Sequence, residues 1–344
     1  MKNQIIGWDI GGAHVKAAIL SSDGKVINVL QTPCPLWKGI AQLQLALQPV
    51  LSGLDIQHYR HALTMTGELA DCFTNREQGV QAILQAMHTA LAGAELWIYA
   101  GRYGFLSSTA IRSEHYLSIA SMNWLASGEF TAKHCRPALF ADIGSTTTDI
   151  LWINELGPQV QGYTDYARLV SGELLYTGVV RTSVMAIARQ AEFNGRHMGL
   201  MAEHFATMAD VYRLSGDLLP AHDQAETADG AEKTAVAGAR RLARLTGYDF
   251  SEADWPLWLK FADYLKQRQK QMITQACLRQ IPQGAELEAL TLVGAGVGRF
   301  LLREIALEKS WVYRDFSEFF IAVDAGADLD AADCAPAAAV AGLL

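Results

Sequence analysis

The segment Asp142-Ile143-Gly144-Ser145-Thr146-Thr147-Thr148-Asp149 joins two strand-like runs, ALFADIG and TDILWI, through a turn of glycine and hydroxyl residues. A carboxylate at a strand end, followed by small residues that let backbone N–H groups approach a ligand, makes a concave anion site. Such a carboxylate can also hold a magnesium ion through water. The same order stands 133 residues earlier, in Asp9-Ile10-Gly11-Gly12-Ala13-His14-Val15-Lys16. Alone, that first segment reads equally as a plain hairpin turn, because glycine pairs mark turns generally. With its partner present, Asp142 takes the place in the second segment that Asp9 takes in the first. Gly11, Gly12, Ala13 and His14, with Gly144, Ser145, Thr146 and Thr147, then become candidate phosphate-binding positions. His14 and Lys16 share one face of the following strand by its two-residue period.

Outward from these loops the chain reads as a duplicated α/β fold. Strand-like runs at 4–9, 15–20 and 25–31 are followed by helical spacing at about 38–51 and 76–92, and by apolar strands at 61–66 and 96–100. A repeat of 133 residues is far longer than a solenoid period, so it indicates two related lobes. The expected division is an N-terminal lobe, residues 1–135, and a C-terminal lobe, residues 136–334. The apolar helix at 335–344 is expected to pack back on the first lobe, and a central cleft to run between the two. From about 177 to 281 the pattern reads as mainly helical, with an exposed loop at 217–229. A strand at 290–293, a helix from about 297 and a strand at 320–323 complete the expected order.

Composition narrows the function classes. With 344 residues, half of them hydrophobic and 19% charged, the chain is globular. A net charge of −8 disfavours nucleic acid, and the nearest basic cluster, Arg240-Arg241 with Arg244, reads as one solvated helix face. The five cysteines are odd in number and widely spaced, without C-x-x-C or a close Cys/His pairing suited to zinc, which fits a reduced cytoplasm. No apolar run reaches the ~20 residues of a membrane span. A homodimer is the base-rate expectation for the oligomer.

Three further segments carry polar groups. In Thr64-Met65-Thr66-Gly67-Glu68-Leu69-Ala70-Asp71 a strand ends at a glycine and two carboxylates follow, which read either as site acids or as acids favouring a helix N-terminus. Asn123 and Trp124 offer either a stacking wall for an aromatic substrate or an ordinary packed tryptophan. Arg168 suits a phosphate or carboxylate ligand, or an exposed salt bridge.

The spacing of Asp9, Gly11 and Lys16 resembles the first phosphate loop of the actin-like ATPase/sugar-kinase superfamily, and DIGSTTTDI resembles the second loop of its hydantoinase/oxoprolinase group. DIGGAHVKAA, TMTGELADCF, ASMNW, ADIGSTTTDI and SGELLYTGVVRT together are similar to a smaller family. Its members belong to tetrahydromethanopterin-linked one-carbon metabolism and include the aminomethylfuran-phenoxymethyl synthases of methanofuran and methylofuran assembly. The resemblance implies the two-lobed actin-like (ribonuclease H-like) fold. In that fold Gly294, Gly296, Gly298 and Arg299 would be the glycine-rich turn that lies against an adenosine. It implies Glu68 as catalytic base, with Asp71 second, and Asp9 and Asp142 as magnesium carboxylates. Lys16 would join them in catalysis, with Asn123 and Arg168 toward substrate. The implied reaction joins the phenol of a glutamyl-tyramine to an aminomethylfuran diphosphate, releasing diphosphate, with Mg2+ required and ATP unnecessary. Two alternatives stand beside it: an ATP-dependent small-molecule kinase, and an ATP-binding subunit of a hydantoinase/oxoprolinase-type complex. His14 departs from the small or hydroxyl residue common at its position in actin-like ATPases, which weighs against ordinary ATP hydrolysis.

Overall fold

The structure is a computed structural model and describes residues 4–285, 290–322 and 328–344. Two compact units emerge from the contacts. The first holds Met1–Phe140, Leu151–Ala167 and Arg314–Leu344; the second holds Ala141–Ile150 and Arg168–Tyr313. The first unit thus joins the N-terminal part to a stretch from the middle of the chain and to the C-terminal end, the helix at 335–344 included.

The first unit is built on strands β1 (Gln4–Ile10), β2 (His14–Leu20), β3 (Lys25–Pro33), β4 (Tyr59–Met65), β5 (Glu95–Tyr99) and β6 (Phe105–Ser107). Their order is β3-β2-β1-β4-β5-β6, with the short strand Ile321–Ala322 on β3. β1, β2 and β3 form an antiparallel meander, whereas β4 and β5 continue parallel to β1. Parallel strands are covered on both faces, which is why the last five residues of β1 and of β4 are all buried, polar ones such as His61 and Thr64 included. One face packs on helices Ala41–Leu51 and Arg76–Ala90, through Ile6, Trp8, Leu43, Leu47, Val80 and Ile83. The helix Arg76–Ala90 starts where Asn75 accepts a hydrogen bond from the Gln78 N–H, an ordinary N-cap.

The C-terminal helix Ala335–Leu343 packs on β1, β2 and β4 and on the helix Asn123–His134. The approach is close: a Cβ on Gly7 of β1 would fall 1.9 Å from the Ala337 carbonyl oxygen. Small residues on both sides, Gly7 against the alanines of this helix, allow that distance.

In the second sheet, β7 (Ala138–Ile143) and β8 (Thr148–Asn154) are flanked in the order Leu174–Leu175, β8, β7, Thr291–Ala295, Val312–Asp315. Helices Met208–Ser215, Ala235–Thr246, Trp255–Gln280 and Arg299–Lys309 complete the second unit. Residues 177–207 are not helical as expected; they hold turns and a small hairpin, Gln190–Phe193 with Arg196–Gly199. Segment 217–229 is not a free loop either, since Leu218, His222 and Thr227 are buried and Asp223 binds Arg213 through both oxygens, at 2.6 and 2.7 Å.

The solvated face expected of Arg240, Arg241 and Arg244 is corrected at its centre. Arg241 is buried, its guanidinium held by Asp210 at 2.8 Å and Asp229 at 3.0 Å. Packing of helix Ala235–Thr246 on Met208–Ser215 brings the first of these acids to it. Past the strand Ile321–Ala322, residue 323 of the expected 320–323 strand lies outside the described residues. Among the described residues no helix is long and apolar enough to cross a membrane.

Candidate active site

The two loops singled out by sequence close in the same way. The Gly11 N–H donates to the His14 carbonyl at 2.9 Å, and the Gly144 N–H donates to the Thr147 carbonyl at 2.9 Å. In each loop the next carbonyls are claimed by a later segment. Gly12 and Ala13 accept from the Leu36 and Cys34 N–H groups; Gly144 accepts from Val179, and Ser145 from Val180 and Arg181. A trans peptide carries its N–H opposite its carbonyl, so the amides of Ala13 and Ser145 point away from those bonds. Outward-directed amides in a tight turn are the donors an anion needs.

Around the first loop, Asp9 is buried near the end of β1 and stands directly across from Lys16 in the antiparallel register. Residues paired in this way project to the same face. The Lys16 ammonium donates to the Asp333 carbonyl at 3.0 Å. Burial pushes the neighbouring Cys334 thiol up to about 12, and the charges of Lys16, Asp333, Asp9 and Asp330 all act on it. Those four charged groups therefore all lie within electrostatic reach of Cys334. His14 is buried, while Gly11, Gly12 and Ala13 are partly exposed.

Glu68 follows β4 on the short turn Gly67–Leu69. The Thr66 N–H donates to the Ile10 carbonyl, and a Cβ on Gly67 would come within 3.1 Å of the Gly11 backbone. The turn is thus seated against the first loop. Glu68 itself is fully buried, with Oε1 accepting a 2.6 Å hydrogen bond from the Ser121 hydroxyl. Its other oxygen, Oε2, has no hydrogen-bond partner among the described residues. Burial dominates its acidity and raises the carboxyl to about 7, with the Ser121 bond only partly offsetting it. Asp71 is exposed on the same segment.

Asn123 begins the helix Asn123–His134, its Oδ1 accepting from the Trp124 N–H at 2.8 Å. Trp124 is buried near Tyr163, with ring centroids 6.4 Å apart, so of its two readings the packed tryptophan is the one observed.

In the second unit Asp142 is half-buried at the end of β7, beside the partly exposed Gly144, Ser145, Thr146 and Thr147. The segment around Gly178, expected from its spacing to be helical, forms their bed instead. A Cβ on Gly178 would fall 2.4 Å from the Thr146 nitrogen, and the Gly178 N–H is held by the Thr182 hydroxyl at 2.8 Å. From helix Trp255–Gln280, Gln269 donates to the Thr177 hydroxyl at 2.8 Å and to the Gly178 carbonyl at 2.9 Å.

The glycine-rich turn also packs here. Gly296 has φ 81°, and a Cβ on it would meet Asp142 Oδ1 at 2.2 Å. The Gly298 N–H donates to the Ile143 carbonyl at 2.8 Å, and a Gly294 side chain would strike Tyr313. At all three glycines a Cβ would collide, with Tyr313 at Gly294, with Asp142 and the Ile143 backbone at Gly296, and with the Ile143 and Val179 side chains at Gly298. Arg299 turns back to the Gly296 carbonyl at 3.1 Å.

Arg168 forms a salt bridge, as in its second reading, but a buried one: it is bonded to Asp149 at 2.8 Å and to the Glu173 carbonyl at 3.1 Å, so it braces β8. Among the described residues no group of three or more His, Cys, Asp or Glu side chains is arranged to hold a metal ion. The single carboxylates Asp9 and Asp142, each beside an amide-lined loop, do fit magnesium, which is commonly held by one or two carboxylates together with substrate phosphates.

The duplicated mixed sheets, each opening on a strand–glycine loop–strand unit, have the fold of the actin-like ATPases. A solved nucleotide-free structure of acetone carboxylase shares it, with a TM-score of 0.60 over 90% of this chain and 67% of that chain, at 10% identity. The hydantoinase/oxoprolinase family model matches residues 60–320, and the chain belongs to that family. Two archaeal relatives are each named (4-{4-[2-(gamma-L-glutamylamino)ethyl]phenoxymethyl}furan-2-yl)methanamine synthase. The protein of Methanocaldococcus jannaschii is 32% identical over 246 residues, 71% of this chain and 72% of the relative. That of Methanococcus vannielii is 25% identical over 178 residues, 51% of this chain and 76% of the relative.

Proposed function

We propose that the chain is a synthase of the same kind, forming an aryl ether between the phenol of γ-glutamyl-tyramine and the furfuryl carbon of an aminomethylfuran diphosphate. The similarity to the two synthases carries this reading. Their named product contains the phenoxymethyl-furan bond that such a substitution makes. The phenol oxygen attacks the furfuryl carbon as the bond from that carbon to the bridging diphosphate oxygen breaks, and diphosphate leaves with the bonding pair.

The first loop would bind the diphosphate through its outward amides, and Lys16 would take up charge growing on the leaving group, as preorganised donors do. The second loop, of the same build, is assigned the same kind of ligand. Magnesium, held by the carboxylate beside a loop, Asp9 for the first and Asp142 for the second, would neutralise diphosphate charge when bound. Glu68 would accept the phenol proton at Oε2. A phenol with a pKa of ~10 is mostly protonated at neutral pH, so a base with a raised pKa near 7 suits the task. Because Glu68 is enclosed, the Gly67–Leu69 turn must shift for the phenol to reach it.

The reading is tested by supplying the purified chain with both substrates and magnesium, without nucleotide. The aryl ether and diphosphate should appear in equal amounts. Absence of ether under conditions in which the M. jannaschii relative forms it would overturn the assignment.

A further inference from the structure

An open pocket of about 420 Å³ lies within the first unit and uses none of the residues discussed above as loop or base. Phe105, Leu156 and Pro158 form apolar parts of its wall, while Glu129, Lys133 and Arg136 bring one carboxylate and two cations. Glu129 and Lys133 are one helical turn apart, and Arg136 follows just past the end of helix Asn123–His134. Glu129 is half-buried; Lys133 and Arg136 are exposed. The buried Tyr99 also lines the pocket, and its hydroxyl acts on the Glu129 carboxylate.

Burial raises the Glu129 carboxyl above its ordinary range, and the Tyr99 hydroxyl and Lys133 offset only part of that. An acid whose ionised form is penalised in this way gains when a ligand brings it a cation. The two basic side chains nearby favour an anion. One acid beside two bases is the complement of an α-amino acid head, in which ammonium and carboxylate share one carbon.

We infer that this pocket binds the amino-acid head of a γ-glutamyl ligand, Glu129 receiving the ammonium and Lys133 with Arg136 the carboxylate. The choice of a γ-glutamyl ligand rests on the proposed function; the charge pattern does not. Its place in the fold suits a substrate with an amino acid at one end and a phenol at the other. Ser121, which holds Glu68, lies just before the helix Asn123–His134, and Glu129 stands six residues into it, about 9 Å along the axis. Tyr99 ends β5, which runs parallel to β4, so this lining residue stands at the same carboxyl edge of the sheet as the Glu68 turn.

The experiment titrates the full chain calorimetrically with γ-L-glutamyl-tyramine, with tyramine, and with γ-L-glutamyl-ethylamide, which carries the head but no phenol. Wild type, Glu129→Gln and the double variant Lys133→Ala/Arg136→Ala are compared, and circular dichroism confirms that each is folded. Both variants should weaken the two γ-glutamyl ligands by about ten-fold or more, as expected for lost charge-assisted bonds, and leave tyramine unchanged. In turnover, KM for γ-glutamyl-tyramine should rise with kcat kept. Unchanged affinity for both γ-glutamyl ligands in both variants, or wild-type failure to bind γ-L-glutamyl-ethylamide, overturns the pocket. Loss of head binding in the variants with no ether made by wild type leaves the pocket standing and removes the proposed reaction instead.

Discussion

The Ser121 hydroxyl donates a 2.6 Å hydrogen bond to Glu68 Oε1, and Ser121 does so from a left-handed backbone conformation, φ 52°. Non-glycine residues enter that region at a cost of about 1–2 kcal/mol, and they stay there when surrounding structure over-determines them. The pair places a strained residue and a buried acid of raised pKa side by side, a combination that clusters at functional sites.

Replacing Ser121 separates strain from hydrogen bonding. Ser121→Ala and Ser121→Gly both remove the bond that favours ionised Glu68, so both should move the midpoint of the pH–rate profile to higher pH. Glycine adopts the left-handed region freely, and Ser121→Gly should be the more stable of the two by about 1 kcal/mol. Profiles that superpose on wild type would reduce Ser121 to a packing role.

Glu68 should also shape stability against pH. Its folded pKa of about 7 lies above the ordinary value of 4.5, so the folded state holds the proton more tightly. The resulting stabilisation is fully present below the unfolded value and is lost as pH rises through the folded one. Against Glu68→Gln, wild type should therefore lose on the order of 3 kcal/mol between pH 4.5 and 8. Denaturant unfolding of both proteins at several pH values measures this. In turnover the same variant should lose roughly 10²–10⁴ in rate, with partial recovery at alkaline pH where the phenol ionises unaided.

The glycines of the loops divide into two groups. Gly178→Ala and Gly296→Ala would drive a Cβ to 2.4 Å from the Thr146 nitrogen and 2.2 Å from Asp142 Oδ1, so each should lose about 1–3 kcal/mol of stability. Nothing lies within 4 Å of a Cβ on Gly12, and Gly12→Ala should change stability by less than about 0.5 kcal/mol. Its methyl would instead intrude on the anion position, weakening diphosphate binding. Thermal melts with and without diphosphate distinguish the two groups.

The loops were legible because their signal is local: Asp9 to Lys16 and Asp142 to Asp149 each carry carboxylate, glycine and flanking strands within a few residues. The burial of Arg168 and Arg241 was not legible, because what decides it is a distant acid, Asp149 for one and Asp210 with Asp229 for the other. Residues 177–207 failed for a different reason. Val179 and Val180 are apolar and β-branched, but their backbone, with that of Arg181, is spent on wrapping the second loop, which no periodicity encodes. Asp330 and Asp333 approach Lys16 from the far end of the chain, and only the fold reveals them.

Charge around the leaving group gives a further prediction. Asp9→Asn and Asp142→Asn should each lower kcat by roughly 10²–10³ with the fold intact, as loss of a preorganised electrostatic group does. Lys16→Ala should weaken diphosphate binding as well as turnover, because its charge meets the ground state and the leaving group alike. Steady-state kinetics at saturating magnesium, with diphosphate as inhibitor, separates these effects.

The central claim is that the bond broken lies between the furfuryl carbon and oxygen. Aminomethylfuran diphosphate labelled with 18O at the bridging oxygen, turned over with unlabelled γ-glutamyl-tyramine, tests it by mass spectrometry of both products. All of the label should leave in diphosphate, and the ether oxygen should come from the phenol. Label retained on the furan, or phosphate transfer that requires ATP, would contradict it.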